Sequence, residues 1–88
     1  MNCIQAILTI DMDNLPDNFQ EIIKHEQEVI AKWKEENILT QFFLKQSKDG
    51  AVLLFNSNDE QEVHGLMTTL PLYKLKKSIE YLRLIKQF

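Results

Sequence analysis

Three side chains in this 88-residue sequence have the chemistry to move protons: Glu26, His64 and Tyr73. Glu26 lies in a stretch with apolar residues at helical spacing, and at about 100° per residue it falls at the centre of the apolar face. A carboxyl group among apolar side chains has a raised pKa, which suits a general base that removes a proton next to a carbonyl group. The alternative is structural, with Glu26 pairing with a lysine or a backbone donor.

His64 and Tyr73 lie on either side of Pro71, where the chain must break from helical geometry. His64 falls near the edge of an apolar helix face, where a histidine either shuttles a proton or occupies a helix surface or interface. Tyr73 either donates a hydrogen bond to an oxyanion or buries its ring and leaves its hydroxyl in water. Glu26, His64 and Tyr73 are therefore the candidate catalytic residues, and an active site predicts that they converge on one cavity.

Other kinds of site lack their sequence patterns. His25, Glu26 and His64 have no paired spacing on one helix, which argues against a metal site. Cys3 is the single cysteine, so no disulfide forms within the chain, and no activating pattern surrounds it. The sequence also has no glycine-rich phosphate loop, no nucleophile elbow and no zinc-ligand spacing. We therefore expect no metal and no cofactor.

Charge is distributed unevenly along the chain. Residues 1–71 contain five lysines and twelve acids, a net charge of −7, whereas residues 72–88 contain five cations and one acid, a net charge of +4. The acidic body argues against nucleic-acid binding, because phosphate contacts dominate such affinity. The C-terminal cations either favour an anionic ligand or, more simply, solubilise an edge strand. They are Lys74, Lys76, Lys77, Arg83 and Lys86.

Length and hydropathy predict one soluble, cytoplasmic domain over residues 1–88. No apolar run approaches the roughly 20 residues that cross a bilayer. The N-terminus lacks the basic segment of a signal peptide. We expect neither a membrane nor a nucleic-acid partner.

The first half of the chain predicts a strand, a helix and a second strand. Residues 4–12 alternate in polarity, as in a strand with one apolar face. Residues 18–37 have helical periodicity, with Asp17 as the expected N-cap. Residues 38–46 form the second expected strand. The inward stripe of the helix contains Phe19, Ile22, Ile23, Ile30 and Trp33 around Glu26.

The second half predicts a strand, a helix and a last strand. A hairpin turn, with Asp49-Gly50 in left-handed positions, leads into a strand over residues 51–56. Ser57 and Glu60 have the spacing of a capping box at the start of the next helix. That helix ends before Pro71, and the last strand covers residues 78–85. The inward face of the second helix contains Val63, Leu66, Met67 and Leu70.

The order of elements, β-α-β-β-α-β, predicts an α+β ferredoxin-like fold with a four-stranded antiparallel sheet. Right-handed crossovers place both helices on one face of the sheet. The other face is left bare and partly apolar, and we expect a second copy of the chain to cover it.

Several short motifs occur together and in register: Glu26 and Glu28 in the first helix, Phe55, His64, and Leu70-Pro71-Leu72-Tyr73 followed by Ile79-Glu80. With these motifs the chain resembles the muconolactone isomerase-like proteins of the dimeric α/β-barrel superfamily over nearly its whole length. The resemblance implies a homodimer through the sheet face, or a larger ring. It also implies a small pocket between sheet and helices for an organic acid or lactone.

The sequence departs from that family on its second strand. Family members carry arginine and histidine there, whereas this chain has Thr40-Gln41-Phe42-Phe43-Leu44. Recognition of a lactone carboxylate therefore does not follow from the resemblance.

Three functions remain open at this stage. The first is a C=C-transposing isomerase of a small unsaturated lactone or organic acid, with Glu26 moving the proton and His64 and Tyr73 polarising or orienting the substrate. The second is a cofactor-free monooxygenase of the same superfamily, acting on quinol-like aromatic compounds. The third is a non-catalytic dimeric module that binds a small ligand, which the missing basic residues on the second strand favour.

Overall fold

The apolar periods of the sequence correspond to four strands and two α-helices in a computed structural model, which describes residues 2–87. The sheet order is β2-β3-β1-β4, and each neighbouring pair is antiparallel. The α+β ferredoxin-like arrangement predicted from the sequence is confirmed. The elements are β1 (Asn2–Ile10), α1 (Phe19–Glu35), β2 (Leu39–Leu44), β3 (Gly50–Phe55), α2 (Glu60–Met67) and β4 (Lys76–Ile85), with a 3-10 turn (Pro71–Leu75) before β4.

β1 lies inside the sheet and supplies the middle of the core. Ile4, Ala6 and Leu8 are fully buried beneath the helices, because alternate residues of a strand point to the same face. The strand ends at Ile10, so its predicted extension to Met12 is wrong. The Asp11 carboxylate accepts hydrogen bonds from the Asp13 backbone N–H and the Asn14 side chain. These bonds stabilise a turn of the chain after β1.

α1 packs its predicted stripe against the sheet. Glu26, Ile30 and Trp33 are buried, and the Trp33 ring lies 5.7 Å from the Phe55 ring of β3. The N-cap is Asn18, without a side-chain hydrogen bond, so the predicted Asp17 cap is wrong. Neither this helix nor any other in residues 2–87 has the length and apolar character needed to cross a membrane.

The β2–β3 hairpin corrects the predicted turn chemistry. No glycine within residues 2–87 has a positive φ, and the left-handed residue of the hairpin is Lys48, at φ 63°. Gly50 is needed for a different reason: a Cβ atom there would lie 1.9 Å from the backbone oxygen of Leu8. A register shift between Leu39 and Gln41 marks a bulge in β2.

The N-cap of α2 is Asp59, two residues after the predicted cap at Ser57. The Asp59 carboxylate, not Ser57, accepts the hydrogen bonds from the first backbone N–H groups of the helix. Val63 and Met67 are fully buried, as predicted. Leu70 has an extended backbone, with ψ 136°, as expected for a residue before proline. The 3-10 turn that follows was not predicted.

No helix or strand of residues 2–87 covers the sheet face opposite the helices. Strand pairing places Phe43, Val52 and Ile7 side by side on this open face. Leu54 and Leu82 flank Gln5 in the next row. The exposed fractions of Phe43 and Leu82 are 51% and 47%, which is high for large apolar side chains. The open face is therefore the bare, partly apolar surface that the sequence predicts.

Candidate functional site

Glu26 is a buried acid held by one defined hydrogen bond. It is 5% exposed, and its Oε1 accepts a hydrogen bond of 3.2 Å from the backbone N–H of Leu72. That N–H is available because Leu72 lies at the start of the 3-10 turn, where backbone donors have no partner within the turn. Desolvation by burial raises the pKa of Glu26, and the Leu72 hydrogen bond opposes part of this rise.

A cavity of about 290 Å³ opens beside Glu26, between α1, the 3-10 turn and the hairpin end of the sheet. Its walls are mainly apolar, and its polar side chains other than Glu26 come from the neighbouring helix residue and the hairpin. The lining residues are Leu8, Ile10, Met12, Phe19, Ile23, Glu26, Gln27, Phe42, Leu44, Lys45, Lys48, Asp49, Gly50, Ala51 and Leu72.

The second carboxylate oxygen of Glu26 is not completely buried. Among residues 2–87, Leu72 is the only hydrogen-bond partner of the side chain, and it contacts Oε1. No buried side-chain nitrogen or oxygen atom in that part of the chain lacks a partner. Oε2 therefore remains partly accessible. Glu26 lines the cavity, so a ligand in the cavity could reach this oxygen.

Two lysines of the hairpin contribute to the cavity lining, but one of them is already engaged. The Lys45 amino group donates a 2.7 Å hydrogen bond to Thr9 Oγ1 and lies 3.9 Å from Asp49 Oδ1. Ser47 donates to the same carboxylate, and this bond is the main reason why the pKa of Asp49 is lowered. Lys48 is exposed at the tip of the turn.

His64 and Tyr73 form a separate cluster with Tyr81 between α2, the 3-10 turn and β4. His64 Nδ1 lies 2.6 Å from the Tyr81 hydroxyl, and the His64 ring meets the Tyr73 ring edge-on at 6.3 Å. The Lys76 amino group lies 4.8 Å from the centre of the Tyr73 ring, a cation–π distance. We call His64, Tyr73 and Tyr81 the aromatic cluster.

The hydroxyl of Tyr81 stays protonated over a wide pH range. Desolvation, with smaller contributions from the charges of Tyr73 and Glu60, raises the pKa of Tyr81 to about 12. The Tyr81 hydroxyl and His64 Nδ1 share one hydrogen bond, in which the phenol donates when Nδ1 carries no proton and accepts when it does. The contact fastens α2 to β4.

Of the three predicted catalytic residues, only Glu26 lines the cavity. The catalytic roles of His64 and Tyr73 remain predictions. His25 is exposed, as expected from its position on α1, and lies 3.8 Å from Glu28. Sequence reasoning missed Tyr81 as the partner of His64, although Tyr81 lies within the predicted last strand, residues 78–85.

No protein-family model and no curated protein matches the sequence. Solved structures do match it, and two of them, proteins of different activity, have TM-scores of 0.64 or above. Muconolactone isomerase matches at a TM-score of 0.76 and 16% identity, over 99% of this chain and 91% of that one. The second is 5-chloro-2-hydroxyhydroquinone dehydrochlorinase from Burkholderia phenoliruptrix, in complex with 2,5-dihydroxybenzoquinone, at a TM-score of 0.64 and 15% identity over 94% and 93% of the chains.

An antibiotic biosynthesis monooxygenase also matches, at a TM-score of 0.63 and 12% identity over 98% of both chains. These identities are low, and what the three proteins share with this chain is the fold. The fold is therefore that of the muconolactone isomerase-like proteins, as the resemblance in sequence implies.

Proposed function

We propose that this protein is a cofactor-free enzyme that isomerises a small unsaturated lactone or organic acid by proton transfer, with Glu26 as the acid–base group. One observation carries the proposal. Leu72 holds one oxygen of a buried carboxyl group, and the other oxygen is partly accessible beside a mainly apolar cavity. The similarity in fold to muconolactone isomerase supports the same reaction class.

In the proposed reaction, the Glu26 carboxylate removes a proton from a carbon atom conjugated with the substrate carbonyl. The C–H electron pair moves into the conjugated system and forms an enolate, while Glu26 becomes a neutral acid. Glu26 then returns the proton to a different carbon atom, and the double bond moves. No proton or electron is gained or lost overall, so the reaction needs no redox cofactor.

The environment of Glu26 suits this cycle. A raised pKa brings the carboxyl group closer to working pH, where it can both accept and return a proton. The Leu72 N–H keeps the carboxyl group in one orientation. The cavity volume of about 290 Å³ lies near the lower end of the roughly 300–1,000 Å³ typical of ligand sites, which favours a substrate of one ring.

A non-catalytic ligand-binding module is the second candidate, because His64 and Tyr73 do not line the cavity beside Glu26. The cofactor-free monooxygenase remains the third, supported by the fold shared with a monooxygenase. Oxygen consumption with a panel of quinols separates the monooxygenase from the isomerase.

The isomerase is tested by incubating the protein with unsaturated lactones and enones in deuterated water and following the double bond by NMR. Wild type should move the double bond and introduce deuterium, and Glu26→Gln should abolish both. Glu28→Gln is the matched control, because Glu28 is an exposed acid on the same helix. Retained turnover in Glu26→Gln would exclude the proposed role, and binding without turnover in wild type would favour the binding module.

We also propose that the protein works as a cytoplasmic homodimer that pairs through the open face. The exposed apolar side chains of Phe43 and Leu82 support pairing of this kind. Cys3, a free and half-buried cysteine, supports a reducing compartment.

A further inference from the structure

We infer that the Glu26 cavity takes an uncharged, oxygen-bearing ring compound, such as a phenol or enone, and rejects the corresponding carboxylate. The inference rests on the proposed function in one respect, since it concerns the same cavity. It narrows the substrate from lactones and organic acids in general to neutral molecules.

The cations of the cavity lining come from the hairpin alone, and the rest of the lining offers an anion no opposite charge. The walls nearest the core come from Leu8, Ile10 and Ile23, and the ionisable group beside them is Glu26. A carboxylate that leaves water for an apolar site without an opposite charge loses favourable hydration that nothing replaces. Whenever Glu26 is ionised, repulsion between like charges adds to this cost.

The two lysines of the hairpin do not change this conclusion. The Lys45 amino group is held by Thr9, whose side chain lies on the open face of the sheet, and by Asp49. Lys48 is exposed at the tip of the turn. Because Lys48 is exposed, its ammonium group is hydrated, and pairing with an anion in the cavity would contribute little.

A neutral oxygen, in contrast, has a partner in either protonation state of Glu26. The carboxylate accepts a hydrogen bond from a phenol or enol hydroxyl, and the neutral acid donates one to a carbonyl group. Met12 and Leu44 line the same cavity and are 44% and 74% exposed, so they offer apolar surface to the rest of the ring. Mainly apolar walls with a few polar groups that fix orientation are typical of small-molecule sites.

The test compares methyl para-hydroxybenzoate with para-hydroxybenzoate at neutral pH, because the two differ mainly in charge. Binding is followed by titration calorimetry and by the NMR signal of the Leu72 amide, which reports on the inner end of the cavity. The ester should bind at least about tenfold more tightly than the acid and shift the Leu72 signal. Glu28→Gln, at an exposed position of α1 that does not line the cavity, should leave this preference unchanged.

The inference is overturned if the acid binds as tightly as the ester, if Lys48→Gln removes binding of the acid, or if neither compound shifts Leu72 at millimolar concentration. These results are distinct from failure of the proposed reaction. A protein that binds the ester and turns over no substrate keeps the inference and loses the reaction. One that isomerises only carboxylate substrates keeps the reaction and loses the inference.

Discussion

The backbone N–H of Leu72 donates a hydrogen bond of 3.2 Å to the side chain of Glu26, 46 positions earlier in the chain. Pro71 contributes to this contact, since it starts the 3-10 turn that presents the Leu72 N–H. The contact joins α1 to the turn and at the same time orients the buried acid that lines the cavity. Stability and chemistry therefore depend on the same carboxyl group.

The raised pKa of Glu26 predicts a pH-dependent penalty on stability. Folding favours the protonated form, so the contribution of Glu26 is fully present below its unfolded pKa of about 4.5 and is lost as pH rises through the folded value. Glu26→Gln keeps an oxygen for Leu72 and cannot ionise. We expect the variant to match wild type in free energy of unfolding at pH 4 and to exceed it at pH 8.

The measurement is urea unfolding of both proteins across that pH range. Subtracting one curve from the other removes the titration of all other groups. If the difference in the free energy of unfolding between the two proteins were the same at every pH, burial would not raise the pKa of Glu26.

Two glycines provide a matched pair for testing the hairpin that borders the cavity. Gly50→Ala would place a Cβ atom 1.9 Å from the Leu8 backbone oxygen, so the strands must separate. We expect a loss of roughly 2 kcal/mol or more in the free energy of unfolding. Gly65→Ala in α2 meets nothing within 4 Å and should stabilise the protein by about 0.5–1 kcal/mol through helix propensity.

Thermal and urea unfolding of the two alanine variants checks both signs. If Gly50→Ala were as stable as wild type, the close approach of β3 to β1 at this position would be wrong.

How far the sequence predicts the site depends on the distance over which each contact acts. The helical period places Glu26 on the buried face, and strand alternation places Ile4 and Leu8 beneath it, because these patterns act within single elements. Caps were predicted less well, since Asp17 stands beside Asn18, and Ser57 stands two residues before Asp59. All four residues are of types that can cap a helix, and the local sequence does not choose among them.

The relation of His64 to Glu26 lay beyond the sequence for a different reason. Helical periodicity describes the rotation of each helix about its own axis. It does not describe how the 3-10 turn between α2 and β4 directs Leu72 towards α1 while Tyr73 packs against His64. Contacts of this kind depend on tertiary packing.

The aromatic cluster predicts an unusual phenol titration. The Tyr81 hydroxyl should ionise at about 12, against the ordinary value of 10.0, because it is desolvated. Its contribution to stability is present below pH 10 and is lost as pH rises through about 12. Ultraviolet titration of phenolate should show this late step in wild type and in Tyr73→Phe, and it should disappear in Tyr81→Phe.

Tyr81→Phe also removes the hydrogen bond to His64 Nδ1 while keeping the ring. The NMR signals of the His64 ring should then shift, because Nδ1 loses its partner. Unchanged His64 signals would show that Tyr81 does not bond to Nδ1.

The open face predicts self-association that one charge can prevent. Leu82 lies in the middle of β4 on this face and is 47% exposed, in the same row as Gln5 and Leu54. Leu82→Glu would place a carboxylate in an interface that we expect to be apolar, where it would have to lose its hydration. Light scattering after size exclusion should show a dimer for wild type at micromolar concentration and a monomer for the variant.

Gln20→Glu is the control for this experiment, because it adds the same charge at an exposed position of α1, on the opposite side of the sheet. The control should remain a dimer, and both variants should keep the circular dichroism spectrum of wild type. A wild-type monomer would contradict pairing through the open face. If Leu82→Glu remained a dimer, the chain would pair through another surface, and Phe43 and Leu82 would be exposed for a different reason.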